Sequence, residues 1–286
     1  MGLRIQNNVE AFNAHRQLTG TASKAAKAME KLSSGYRINR AADDAAGLAI
    51  SEKMRGQIGG LAQAQRNAQD GVSLVQTAEG ALTEVHSMLQ RVRDLKVQYT
   101  NGTLDTPDKE AIAAEVKQLA TEIGKIQSDT EFNGIKLLDG TGGTAGVVTF
   151  QVGANTGEEI DVTTEDITAS ATSAGMAAVA TVGVAADNAA AATAFDSVTL
   201  ENLDSAIEDI SSLRATFGAV QNRLEHRLNN LATYQENLVA AESRIRDVDM
   251  AAEMVNFTKL SILQQAGTSM LAQANQAPQG VLSLLR

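Results

Sequence analysis

The 286-residue chain is 43% hydrophobic, which is enough for one or two domains that each bury a core. It contains no cysteine and no tryptophan, and aromatic residues supply only 3%, so disulfides, thiolate metal sites and cysteine nucleophiles are excluded and a deep aromatic pocket is disfavoured. The net charge of −10 lies mainly between two mildly basic ends, and no basic stripe interleaves with aromatic residues, which argues against nucleic-acid binding.

An apolar stripe near the N-terminus predicts the first helix. Its members alternate at steps of four and three residues: Leu18, Ala22, Ala25, Met29 and Leu32. No run of residues is long and apolar enough to cross a membrane, and the segment before this stripe lacks the apolar stretch of a secretory signal peptide. These patterns alone predict a cytosolic chain without membrane insertion.

Two seven-residue lines predict a long second helix. One line contains Leu61, Ala68, Val75, Leu82 and Leu89, and the adjacent line contains Ala78, Val85, Val92 and Tyr99. A third helix follows with Pro107 in its first turn and Thr106 as its expected N-cap. Its apolar positions are Ile112, Val116, Leu119, Ile123 and Ile126, so we expect these helices to pack side by side.

A β-hairpin is predicted next. Val148, Phe150 and Val152 alternate with polar residues, and Ile160 and Val162 resume the alternation after a turn at 153–157. Residues 167–196 then include 13 Ala and no Lys or Arg, without a steady period. We interpret this segment as an exposed tip or a loosely ordered excursion, whose order the sequence leaves open.

The C-terminal part carries the longest repeat. From Leu203, apolar residues recur every seven positions at Ile210, Phe217, Leu224, Leu231, Leu238, Ile245 and Ala252. As a single helix, residues 199–275 would be about 115 Å long at about 1.5 Å per residue. Such a rod, with apolar stripes at both ends that it cannot cover alone, indicates a self-assembling element rather than a catalyst.

Long motifs identify a resemblance to the bacterial flagellins. The two terminal motifs are EKLSSGYRINRAADDAAGLAISEKMR at 30–55 and ILQQAGTSMLAQANQAPQGVLSLLR at 262–286. Four internal stretches also resemble the family: 66–82, 89–95, 132–140 and 150–162. The resemblance covers about 1–165 and 200–286, and departs from the family mainly at 167–199.

The resemblance implies an all-α rod in which long helices from both chain ends form an antiparallel coiled coil, with a small β-hairpin region. We therefore expect an N-terminal inner-core helix (1–43), outer-tube helices with the hairpin (44–166) and a short variable exposed segment (167–198). A returning outer-tube helix (199–242) and a C-terminal inner-core helix with its tail (243–286) complete the chain. Large outer domains are not expected.

The resemblance further implies a non-enzymatic subunit, without cofactors or metals, that polymerises with itself into the extracellular flagellar filament used for swimming. Family members leave the cell unfolded through the flagellar type III export apparatus without a cleaved signal peptide, which replaces the cytosolic expectation. Implied partners are an export chaperone, the filament cap, hook-junction proteins, and the Toll-like flagellin receptor and cytosolic flagellin sensors of animal hosts. Nucleic acid and membrane are not among them.

Three groups of residues are expected to carry these roles. The assembly core comprises Leu18, Met29, Leu32, Val255, Ile262, Leu263, Leu271, Leu282, Leu284 and Leu285. By resemblance, the surface that binds the Toll-like receptor and also joins stacked subunits comprises Gln90, Arg91, Leu95 and Glu115, with Gln90, Arg91 and Leu95 off the centre of the core stripe. Candidate O-glycosylation sites are Ser170, Thr172, Ser173 and Thr181.

The residues give less support to other functions. His15, His86 and His226 are far apart and outside any HExxH pattern, so a zinc protease is not supported. The carboxylates Asp43–Asp44 and Asp247 with Asp249 are interpreted as helix starts or salt bridges. A hook-filament junction protein of the same superfamily, a secreted coiled-coil adaptor and a secreted hydrolase remain as alternatives.

Overall fold

The computed structural model describes the backbone over residues 8–168 and 174–284, and the side chains over 8–168 and 175–276. In these ranges the chain is mostly α-helical, with four short strands, which confirms the expected fold class. The helices are α1 Val9–Ser34, α2 Ala45–Tyr99, α3 Thr106–Asp129, α4 Ala174–Gly183, α5 Asn188–Ser197, α6 Leu200–Arg246 and α7 Met250–Leu284. The strands are β1 Glu131–Phe132, β2 Ile135–Lys136, β3 Val147–Gln151 and β4 Glu159–Thr163.

The elements divide into two compact units. Unit 1 contains the chain up to Ile58 and from Glu236 onward, and unit 2 contains Gly59–Gln235. Both α2 and α6 contribute residues to each unit.

Unit 2 is built on the heptad lines of α2, α3 and α6. The predicted α2 line from Leu61 to Leu89 is buried throughout, and so is the α6 line from Leu203 to Leu231. A repeat of seven keeps the same helix face toward its neighbours over several turns, so the side chains of these lines from Ala68 to Leu89 and from Leu203 to Leu224 belong to one continuous core. Ion pairs tie the flanks of α2 and α6 together, between Arg93 and Asp204 at 2.6 Å and between Arg214 and Glu79 at 3.7 Å.

The third helix is present as predicted, but it begins at Thr106 and its cap therefore lies one residue earlier than expected. The Asp105 side chain accepts a hydrogen bond from the Thr106 backbone N–H at 2.7 Å, so Asp105 rather than Thr106 is the N-cap. Pro107 lies in the first turn, where its missing N–H has no intrahelical partner to lose. The acidic cap also places a negative charge at the positive end of the helix dipole.

The hairpin of β3 and β4 is confirmed. The two strands pair antiparallel with Val148 opposite Val162 and Phe150 opposite Ile160. A Cβ at Gly71 of α2 would lie 3.3 Å from the Phe150 ring and 3.3 Å from Leu224 Cδ1. The glycine therefore lets the hairpin and α6 approach the α2 backbone closely.

The segment after the hairpin is more ordered than the expected loose excursion. Its described part forms α4 and α5, which pack against α3 and against each other. Their buried apolar side chains are Met176, Val179, Val182, Ala191 and Phe195. An alanine-rich sequence has high helix propensity, and a few larger apolar residues are enough to anchor such short helices.

The C-terminal repeat forms two helices, and a break at 247–249 separates α6 from α7. The Val248 N–H donates to Gly35 O at 3.0 Å instead of to a carbonyl of its own helix. Asp249 then starts α7, because its Oδ1 accepts from the backbone N–H groups of Ala251 and Ala252 at 3.0 and 3.1 Å. A helix continuous over 199–275 is therefore not formed.

Candidate functional site

The two terminal helices of unit 1 pair antiparallel. Asn8 Nδ2 donates to Ala274 O at 2.8 Å at one end, and Gly35 and Val248 are hydrogen-bonded at the other. Between these ends Ala25 and Ala28 form a small buried cluster with Leu260, and Phe257 packs against it. A Cβ at Gly267 would lie 3.1 Å from Leu18 Cδ1, so small residues keep the pair close.

The outer surface of this pair is strongly apolar. Among the described residues, 12 of the 15 exposed large hydrophobic side chains lie in unit 1. Those on α1 and α7 have between 47% and 71% of their surface exposed: Val9, Phe12, Met29, Met250, Met254, Val255, Ile262, Leu263 and Met270. A concentration of exposed apolar side chains on one helix pair indicates an interaction surface.

The expected assembly residues fall into three groups. Leu18, Leu32 and Leu271 are half-buried, as expected for residues at the edge of the contact between α1 and α7. Met29, Val255, Ile262 and Leu263 are exposed and belong to the apolar outer surface. The side chains of Leu282 and Leu284, and the whole of Leu285, lie outside the described residues.

The α1–α2 loop and the α6–α7 break are joined in a junction that sequence reasoning missed. Tyr36 and Asp247 form an isolated antiparallel bridge, and the Arg37 N–H donates to Arg246 O at 2.6 Å. The Arg246 guanidinium lies over the Tyr36 ring at 4.8 Å, and its Nη1 is 2.6 Å from Glu52 Oε1. These residues are close only because both helix breaks occur at the same level.

Charge in this junction favours the ionised carboxyl of Glu52. The hydrogen bond from Arg246 is the main cause that lowers the pKa of Glu52 below its ordinary value of 4.5, and Arg55 adds to the effect. The pKa of Asp43 is lowered mainly by the Arg40 N–H, which donates to its Oδ2 at 3.1 Å. Asp43 therefore closes the turn before α2, whereas Asp44 has the expected helix-start role, because its Oδ1 accepts from the Gly47 N–H at 2.8 Å.

The surface implied for receptor binding lies on the adjoining helices α2 and α3. Arg91 Nη2 is 2.7 Å from Glu115 Oε1, and both side chains are about half exposed. Gln90 is exposed as well, and its Nε2 lies 2.9 Å from His86 Nε2. Three of the four expected residues are thus accessible on one surface.

Leu95 does not belong to that accessible surface. Only 2% of its surface is exposed and it is part of the unit 2 core, so the expectation that it lies off the core is wrong. At this level α2 has three neighbours: Arg91 pairs with α3, Arg93 with α6, and Tyr99 OH donates to Ala192 O of α5. Neighbours on several sides bury a wider sector of the helix than a single stripe predicts.

Lys96 is a buried cation in the same part of α2. Its Nζ donates to Phe195 O at 2.7 Å and lies 4.8 Å from the Phe195 ring centroid. Burial lowers the pKa of Lys96, and the nearby Asp196 opposes this effect. The burial of Lys96 could have been predicted from the sequence, because Lys96 lies on the apolar helix face between Val92 and Tyr99.

Other candidate sites carry little chemistry. Thr181 is exposed, and its hydroxyl donates to Ala178 O at 2.7 Å, whereas Ser170, Thr172 and Ser173 lie outside the described residues. A cavity of about 260 Å³ between α3 and α4 is mostly apolar and smaller than usual ligand pockets. Within the described residues no group of His, Asp and Glu is placed to hold a metal ion, and no helix is long and apolar enough to cross a membrane.

Comparisons with known proteins agree with the terminal motifs. The bacterial flagellin N-terminal helical region matches residues 5–143, and the bacterial flagellin C-terminal helical region matches residues 200–285. A Bacillus subtilis flagellin is 54% identical over 99% of this chain and 100% of its own length, and a Halalkalibacterium halodurans flagellin is 54% identical over 99% of each. A solved structure of a putative flagellar hook-associated protein from Vibrio parahaemolyticus has a TM-score of 0.58 at 17% identity, and the match covers 72% of this chain and all of that one. At this identity the match shows only that the two folds are similar.

Proposed function

Because this chain belongs to the bacterial flagellin family, whose members are structural subunits of the flagellar filament, we propose that it polymerises through the exposed apolar surface of α1 and α7. The observation that carries the proposal is the concentration of exposed apolar side chains on these two helices. Among their described side chains, the two helices bury only a small cluster between them. Copies of the same chain can cover the remaining surface in a helical polymer.

The energy available from this surface is large enough for assembly. Val255 is 71% exposed and Ile262 is 60% exposed, and they are seven residues apart on α7. Complete burial of one such side chain contributes about 1.5–3 kcal/mol. Several of them, covered by neighbouring subunits, can offset the entropy lost when a monomer joins the filament.

The direct test compares one charge substitution on this surface with a matched one elsewhere. Val255→Asp places a carboxylate on α7, and Val184→Asp places one after α4 in unit 2, where the valine is 83% exposed. Heated and desalted monomers are returned to salt, and filaments are measured by pelleting and electron microscopy. We expect the Val184 variant to form long tubes and the Val255 variant to remain monomeric. Normal tubes from Val255→Asp would overturn the proposal.

The flagellin assignment is favoured over the alternative functions. The hook-associated protein shares the fold at 17% identity, whereas the two flagellins match nearly the whole chain at 54% identity. An adaptor or a hydrolase has no comparable support. Formation of long tubes from the purified chain alone separates the filament subunit from a junction protein or an adaptor.

The route to the filament is proposed from the family. The chain passes unfolded through the flagellar type III export apparatus with an export chaperone, and it meets hook-junction and cap proteins at the growing filament. The absence of cysteine supports this route, because no disulfide can cross-link the chain before or during passage. The assembled subunit is then extracellular, and it catalyses no reaction.

Recognition by animal hosts is proposed as a second role. Gln90, Arg91 and Glu115 form the accessible part of the surface for the Toll-like flagellin receptor, and the same surface contacts an axial neighbour in the filament. An exposed arginine that is held in place by a carboxylate is a suitable hot-spot residue. Leu95 supports this surface from below. The tail with Leu282, Leu284 and Leu285 is proposed as the segment bound by cytosolic flagellin sensors.

A further inference from the structure

The sulfur atoms of this chain are unevenly distributed. It has eight methionines and no cysteine, so every sulfur is a thioether. Met176 in the unit 2 core is 1% exposed, whereas four of the methionines that the structure describes are exposed. They are Met29 at 51%, Met250 at 48%, Met254 at 50% and Met270 at 64%, and we refer to them as the methionine surface.

All four belong to the α1–α7 pair of unit 1. Met250 and Met254 are four residues apart and share a face of α7. Ala28 clusters with Leu260, and Gly35 is hydrogen-bonded to Val248, so Met29 of α1 lies along the stretch of α7 between Val248 and Leu260, which contains Met250 and Met254. The exposed sulfurs are thus concentrated on the apolar surface that is proposed to join subunits.

We propose that the methionine surface is a redox-modification site at which peroxides control whether a subunit can assemble. The inference rests on the proposed assembly function of α1 and α7. A peroxide such as hydrogen peroxide transfers one oxygen atom to the thioether: an S–O bond forms, the O–O bond breaks and water leaves. The sulfur is oxidised by two electrons, and the peroxide is reduced by two. The product is methionine sulfoxide, which is polar and chiral.

The modification acts on assembly because it changes the polarity of the contact surface. A sulfoxide that is buried without a hydrogen-bond donor costs free energy, as any unpaired polar group does. One such group raises the critical concentration for polymerisation about tenfold. In the filament, neighbouring subunits cover the same thioethers. We therefore expect peroxide to oxidise these methionines in free subunits and to leave them unmodified in assembled ones.

A competition experiment on the full-length chain tests this inference without any substitution. Monomers are treated with hydrogen peroxide until about half of the exposed methionine is converted to sulfoxide. They are then returned to polymerising salt and separated into filaments and residual monomers. Peptide mass spectrometry then measures sulfoxide at each methionine in both fractions. We expect sulfoxide at Met29, Met250, Met254 and Met270 to be depleted in the filaments. Equal sulfoxide content in the two fractions would overturn the inference.

A variant provides the matched control. Replacing these four methionines by leucine keeps the surface apolar and removes its sulfur, while Met1, Met54, Met88 and Met176 remain. Each chain is compared with its own unoxidised critical concentration: we expect peroxide to raise that of the wild-type chain about tenfold or more and to leave that of the variant nearly unchanged. Methionine sulfoxide reductases A and B should together restore wild-type assembly. Equal inhibition of both chains would assign the effect to other methionines and overturn the inference.

The experiments distinguish failure of the assembly proposal from failure of the redox inference. If Val255→Asp monomers polymerise normally, the α1–α7 surface does not join subunits and the inference loses its premise. If that substitution blocks assembly while oxidised wild-type monomers polymerise at the unmodified critical concentration, only the redox inference is wrong. If the leucine variant itself does not polymerise, the sulfoxide distribution between filaments and monomers still decides.

Discussion

Arg246 at the end of α6 lies over Tyr36 in the α1–α2 loop, with the guanidinium carbon 4.8 Å from the ring centroid. The same guanidinium is paired with Glu52 at 2.6 Å, and the Arg246 side chain is only 11% exposed. One side chain therefore connects the loop, the start of α2 and the end of α6. It holds the two helix breaks at the same level, where the Tyr36–Asp247 bridge forms.

Arg246→Ala is expected to destabilise unit 1. The substitution removes a cation–π contact and a charge-assisted hydrogen bond from a largely buried position, which together stabilise by about 1–3 kcal/mol. Differential scanning calorimetry of filaments should show a lower melting temperature. Arg244→Ala, at an exposed position on the same helix, serves as the control. Equal melting of the two variants would show that the junction contributes nothing.

Glu52→Gln is expected to weaken the same junction in a pH-dependent way. The folded-state pKa of Glu52 is lowered, mainly by the Arg246 hydrogen bond, so its contribution is present above the ordinary value of 4.5 and is lost as the pH falls through the lowered pKa. Filaments of the variant should melt at a lower temperature than wild type at pH 7. This difference should shrink below pH 4.5, whereas the exposed Glu236→Gln should match wild type throughout.

Leu95→Ala and Arg91→Ala should differ in monomer stability. Leu95 is 2% exposed, and truncating a buried leucine costs about 2–5 kcal/mol because a cavity remains. Arg91 forms a half-exposed ion pair, whose loss costs at most about 1 kcal/mol. Urea unfolding of the two monomers measures both values. A Leu95→Ala monomer as stable as wild type would contradict its place in the core.

The receptor proposal is tested with Arg91→Ala combined with Glu115→Ala. Loss of a hot spot of this kind costs a complex about 2–4 kcal/mol, so signalling potency should fall about 30-fold or more. Arg93→Ala is the matched control, because Arg93 pairs with Asp204 on α6 instead of with α3. Unchanged potency in a folded double variant would refute the receptor site. Lost signalling with normal filaments would refute only the shared contact with an axial neighbour.

Limited proteolysis of monomers is expected to remove unit 1 first. Unit 2 has a continuous core along α2, α3 and α6, whereas the described side chains of α1 and α7 that are buried between them are only Ala25, Ala28 and Leu260. Local opening is easiest where few apolar contacts are lost. Mass spectrometry should therefore find a resistant fragment near residues 59–235. Ends that resist cleavage as well as the middle does would contradict this expectation.

The sequence alone was sufficient for the features that depend on local periodicity. The seven-residue lines through Leu82 and Phe217 predicted buried helix faces, and the alternation at Val148 and Ile160 predicted paired strands. These predictions succeeded because a side chain's direction along a helix or strand follows from its position in the repeat. The terminal motifs carried the family resemblance, and their exposed apolar residues were recognisable as assembly candidates before any contact was known.

Tertiary structure decided how many neighbours each helix face has. Leu95 lies beside the lines that the sequence shows, yet it is buried because α3, α5 and α6 all contact α2 near this level. The repeat continues from Ile245 to Ala252, yet the helix breaks between them because the Val248 N–H bonds to Gly35, 213 residues away in the chain. Periodicity describes the orientation of side chains within one element, whereas burial and helix ends depend on partners that are distant in the sequence.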